Sequence, residues 1–125
     1  MNRHEVIDLL TCAAHYDHRK PSNADTDAWE LTMRDITLAD GRVAVVAHYM
    51  ETSDWLMPAH VRLRVRAIRR RRLAAAPMPP PPRELDDDPA GYLEWCRRTR
   101  RAIADTPLRP EIASLRISGE LEAGQ

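Results

Sequence analysis

Apolar residues in the first half of the chain recur at three- and four-residue steps, the spacing that lines one face of a helix. Val6, Leu9, Leu10, Ala13 and Tyr16 follow this rule behind Asn2, and Glu5 completes a capping box with Asn2, so a helix is predicted over 2–16. Asp17-His18-Arg19-Lys20-Pro21 ends it, because proline disfavours helical geometry in the residue before it. Ser22 caps a second helix reaching Asp35, with Ala28, Trp29 and Leu31 toward the core. Thr37 caps a third, with Val43, Val46, Ala47 and Met50 inside and Tyr49 beside them. A polar connection over 51–54 leads to an apolar plug, Trp55-Leu56-Met57, and Pro58 opens a fourth helix to about Ala76. Val61, Val65, Ile68 and Leu73 point it inward. Amphipathic helices joined by short loops predict an all-α head, a small bundle or orthogonal array.

Pro77-Met78-Pro79-Pro80-Pro81-Pro82 breaks the pattern and predicts an extended polyproline spacer. Beyond it Asp88 caps, and Pro89 opens, a fifth helix to about Ala104, on which Tyr92, Trp95, Cys96, Thr99 and Ile103 share a face. Weak periodicity, two prolines and two late glycines predict a disordered end. The expected organisation is a helical head over 1–76, a linker over 77–83, a tethered helix over 84–105 and a disordered tail over 106–125.

The 125 residues are 43% hydrophobic and 30% charged, ordinary values for a soluble protein. No apolar run spans a bilayer and no signal-peptide pattern opens the chain, so a cytoplasmic protein is expected. Cys12 and Cys96 fall in separate modules and are read as reduced thiols. The net charge of zero conceals a segregation: residues 1–57 carry −5, residues 58–83 carry +8, and residues 84–125 carry −3.

The positive segment centres on seven arginines between Arg62 and Arg72, with no acid among them. Such a helix attracts phosphate and releases counterions from nucleic acid, and each guanidinium can grip a phosphate with two hydrogen bonds. Arg62, Arg66, Arg69, Arg70, Arg71 and Arg72 form the expected nucleic-acid surface; the competing reading is a solvated face whose heads pair with the acidic head. No base-reading motif accompanies it, so DNA contact without sequence specificity is expected. The tail helix, with Tyr92, Trp95, Cys96, Thr99 and Ile103, suits docking into a partner groove, or alternatively folding back on the head.

Chemistry-bearing patterns are sparse. Cys12, His15 and His18 are spaced by three, but His18 sits at the helix end and no fourth ligand is evident, so no metal is expected. A glycine-rich phosphate loop is missing, and nothing gives Cys12 and His15 a pocket or oxyanion donors. Neither an enzyme nor a cofactor is expected.

The head also carries a layout of its own: a short first helix, Trp29 in the second, Val43-Ala44-Val45-Val46-Ala47-His48-Tyr49 in the third, and Leu56-Met57-Pro58 leading to Val61 and Val65 in the fourth. Over residues 2–72 this resembles the N-terminal domain of phage replicative-helicase loader/inhibitor proteins. The resemblance implies a helical head, and a C-terminal segment, here residues 84–105, that engages a replicative helicase. The polyproline spacer and arginine-dense fourth helix depart from that pattern. A replication accessory factor, a helicase loader or regulator bridging DNA or an initiator to a replicative helicase, is therefore the leading expectation. The alternatives are a helical DNA-binding transcriptional regulator, disfavoured by the apolar third helix, and an assembly protein oligomerising through Tyr92 and Trp95.

Overall fold

Capping side chains mark out the first three helices and the fifth in a computed structural model that describes residues 1–108. The elements are α1 (Arg3–Asp17), α2 (Asn23–Thr32), α3 (Leu38–Glu51), α4 (Pro58–Ala75) and α5 (Pro89–Asp105), with one 3₁₀ turn over Arg83–Leu85. The described residues are all-helical and contain no strand. Asn2 and Glu5 form the predicted capping box, Ser22 and Asp25 form a second, Thr37 caps α3, and Asp88 caps α5 ahead of Pro89. Each cap satisfies a backbone N–H that the first helical turn leaves without an intrahelical partner.

The chain divides into two compact units, Met1–Ala67 and a second beginning at Ile68, so the division falls inside α4 and not at the proline run. In the first unit Val6, Leu9, Leu10 and Ala13 of α1 meet Trp29, Met33, Ile36, Ala44, Val45, Leu56, Val61 and Val65 in one core. The Met1 ammonium donates to the carbonyls of Met33 and Ile36, both at 2.8 Å, and ties the start of the chain to the α2–α3 turn.

Three features of this core differ from the sequence expectation. The second helix stops at Thr32, three residues early, and the following turn lets Met33 and Ile36 both reach the core, while Leu31 stands 64% exposed. The buried face of α3 includes Val43 as expected but runs through Gly41, Ala44, Val45 and His48, and Met50 lies outside. Close approach selects this face: α1 packs against α3 where side chains are smallest, and a Cβ on Gly41 would stand 3.1 Å from Leu9 Cδ1 and 2.5 Å from Met1 Cε. Gly41→Val is therefore expected to lower stability by about 1–3 kcal/mol, read from urea unfolding, through overpacking of the α1–α3 contact. Of the apolar plug only Leu56 is buried; Trp55 and Met57 are about half exposed.

His18 terminates α1 in the left-handed region (φ 57°), donating its N–H to Ala14 O. A Cβ is unfavourable there, and glycine is not penalised. His18→Gly is expected to raise the melting temperature, with a gain of about 1 kcal/mol.

In the second unit the chain runs without regular structure from Pro77 to Pro82, which itself has polyproline dihedrals (φ −60°, ψ 143°). Arg72 donates to Ala104 O at 2.7 Å, and Arg69 pairs with Asp105, so two arginines join the end of α4 to the end of α5. The expected spacer thus does not hold α5 apart from the arginine helix. The predicted disordered tail lies, from residue 109 on, outside the described residues.

Candidate nucleic-acid and partner surfaces

Helix α4 places the six predicted arginines in three different situations. Arg62 is committed within the first unit: its guanidinium donates to Asp35 Oδ1 and Oδ2 and to Thr32 O at 2.6 to 3.1 Å. That contact holds the Asp35 carboxyl below its usual range. Arg66, on the same helix, is exposed. In the second unit Arg70 and Arg71 are exposed, Arg69 is partly covered beside Asp105, and Arg72 is 1% exposed with its head on Ala104 O.

Arg72 therefore does not belong to a surface that could meet phosphate, a correction to the sequence expectation. The reason is geometric: an arginine every residue from 69 to 72 points around the full circumference of a helix, and one direction faces α5. Arg64, which the sequence reading did not single out, bonds Glu51 at 3.0 Å and lowers that carboxyl's pKa.

Helix α5 adds further cations near its C-terminal end, which the helix dipole explains in part. Arg100 and Arg101 are exposed and sit one turn before the residues that Arg72 and Arg69 hold. Arg97 and Arg98 reach Glu94 only at 3.7 and 3.8 Å, on a fully solvated face where such pairs contribute little. Arg70 and Arg71 of α4 and Arg100 and Arg101 of α5 are thus exposed close in sequence to the residues that join the two helix ends.

The predicted partner face of α5 is divided. Tyr92 is 43% exposed and stacks on Trp95 with ring centroids 6.2 Å apart. Trp95, Cys96, Thr99 and Ile103 are half-buried. The 3₁₀ turn lies against the start of α5, where Leu85 Cδ2 would stand 3.0 Å from a Cβ on Gly91. Leu93, missed because it falls off the periodic stripe, is the most exposed large apolar side chain of α5. Its solvent position next to Tyr92 was legible only once the stripe was seen to be partly covered.

A second constellation, in the first unit, was not anticipated at all. Arg19 Nε and Nη2 form a fork on the Asp17 carboxylate at 2.7 to 3.0 Å, and Nη2 also donates to Leu56 O at 2.8 Å. Both side chains are only 6% exposed. Tyr49 donates its hydroxyl to Asp17 Oδ2 and accepts the Leu56 N–H at 3.0 Å. Burial alone pushes the Asp17 carboxyl upward, but the bonds from Arg19 and Tyr49 outweigh it and hold it below the ordinary 3.8. The guanidinium lies between two indoles, 5.5 Å from Trp29 and 4.4 Å from Trp55.

Cys12 is half-buried, and burial pushes its thiol up, away from the reactive thiolate. Among the described residues no three His, Cys, Asp or Glu side chains gather as a metal site would need, and no helix is long and apolar enough to cross a membrane. No family model, curated protein or solved structure matches the chain. The class that stands is a small protein whose described residues are all-helical and fall in two compact units.

Proposed function

We propose that this protein is a non-enzymatic adaptor of DNA replication, a loader or regulator that links DNA to a replicative helicase. The observation that carries the reading is the junction of the second unit, where Arg69 and Arg72 are used internally while Arg70, Arg71, Arg100 and Arg101 remain exposed around them. Exposed guanidinium groups, unpaired among the described residues, suit a phosphate backbone, whose contacts position a protein without reading sequence. The transcriptional-regulator alternative is disfavoured by α3, which carries Val and Ala with few polar side chains.

Tyr92 and Leu93 supply the partner side of the reading. They are neighbouring exposed apolar side chains on α5, the helix that the resemblance to helicase loaders assigns to helicase contact. Aromatic anchors of this kind carry much of the energy of an interface. A pull-down with the cognate replicative helicase tests it: the native chain is retained, and a Tyr92→Ser, Leu93→Ser double variant is lost. Equal retention of the two, or retention of neither, rejects the helicase assignment.

A further inference from the structure

The Trp29–Arg19–Trp55 constellation opens onto a cavity of about 230 Å³ in the first unit, walled also by Pro21, Met57 and Lys20, with Asp25 at its rim. Arg19 fixes its geometry. Nε and Nη2 are consumed by Asp17 and Leu56 O, while Nη1 takes part in none of these bonds. A rigid donor is thus held between two indoles beside a half-exposed Trp55. Aromatic walls with a fixed N–H donor are what a polyproline helix requires: ring faces for the pyrrolidines, and a donor for a backbone carbonyl that has no internal partner.

Charge narrows the occupant. Besides Arg19, which Asp17 pairs, the lining carries one residue of each sign, Asp25 and Lys20, on a stretch of the chain that is acidic overall. Asp25 Oδ2 caps Ser22 N, and the carboxylate itself is exposed. A polyanion fits this rim poorly; a neutral extended backbone flanked by one cation and one anion fits it well. The chain itself contains such a segment. Pro79, Pro80, Pro81 and Pro82 are exposed and lead directly into Arg83 and Glu84, both exposed and neither held in an ion pair.

We propose that the Trp55 cavity receives the Pro79–Pro82 segment of a second copy of this chain, with that copy's Arg83 against Asp25 and its Glu84 against Lys20. Each chain carries one donor segment and one acceptor cavity. The contact is heterologous, and it makes the protein self-associate in a concentration-dependent way.

Sedimentation of the full chain tests this with two variants, one damaged on each side. Trp55→Ala removes an exposed side chain from the cavity, and replacing Pro79 to Pro82 by serine removes the donor; circular dichroism first establishes that both are folded. The native chain is expected to rise above its 14.3 kDa monomer mass with concentration. Either variant alone should associate roughly tenfold or more weakly, as for loss of an aromatic anchor. Mixed together they should associate again, because one still has a donor and the other still has a cavity. A native chain that remains monomeric to about 1 mM, where association would be worth no more than about 4 kcal/mol, overturns the proposal. Variants that associate as the native chain does, or a mixture that fails to associate, overturn it as well.

Discussion

Replacing Arg19 by methionine is expected to cost about 3–5 kcal/mol, because it leaves the Asp17 carboxylate buried with its main partner removed. That is a large part of the roughly 5–15 kcal/mol that holds a domain folded. The loss has a pH signature whose sign can be worked out. In the native protein the Asp17 carboxyl lies below its ordinary 3.8, so its contribution is present above that pH and is lost as pH falls through the folded value. In Arg19→Met the guanidinium's pull is gone while the Tyr49 hydroxyl and the residue-19 backbone N–H remain, so the Asp17 carboxyl rises from its native position. The gap between its folded and unfolded values shrinks, and with it the stability that acidification removes. Urea unfolding between about pH 3 and 6 should therefore show a shallower dependence on pH for the variant than for the native protein. Asp17→Asn in the same background should recover part of the loss, since an amide oxygen can still accept from Tyr49.

The second large effect concerns the arginine junction. Substituting Arg70, Arg71, Arg100 and Arg101 by glutamine should flatten the dependence of log K for DNA on log salt by roughly 3 to 4, about 0.9 for each phosphate contact. The loss should be uniform across DNA sequences, because phosphate contacts position and do not specify. Arg62→Gln is the informative control. Its guanidinium is engaged by Asp35 and Thr32 O, so the slope should remain near native. A salt slope unchanged by the quadruple substitution would remove these residues from any nucleic-acid surface.

What could be read from the sequence was local. Asn2, Ser22, Thr37 and Asp88 each act within four residues of themselves, and all four cap the helices they were expected to cap. The face of α3 was legible only in part, since apolar size points to Val46 and Met50 whereas close helix approach selects Gly41 and Ala44. Small residues carry no hydrophobic signal, and only the partner helix reveals their use. The Arg19 constellation was invisible for a related reason. Asp17 and Arg19 are two residues apart in what reads as a helix end, and Tyr49, Leu56 and Trp55 reach them from distant segments. The arginine helix was conspicuous as composition, but composition does not say which head is engaged. Arg62, Arg69 and Arg72 have partners 27 to 36 residues away.

The adaptor reading is tested most directly by asking whether the protein bridges its two proposed partners. Labelled DNA, immobilised, is incubated with the cognate replicative helicase under conditions where the helicase alone is not retained, with and without the native chain. The account predicts that the native chain retains helicase on the DNA and that the two classes of variant fail differently. The four-arginine variant should hold helicase in solution but not reach the DNA, while Tyr92→Ser, Leu93→Ser should reach the DNA without helicase. Helicase retention that is the same with and without the native chain would contradict the account.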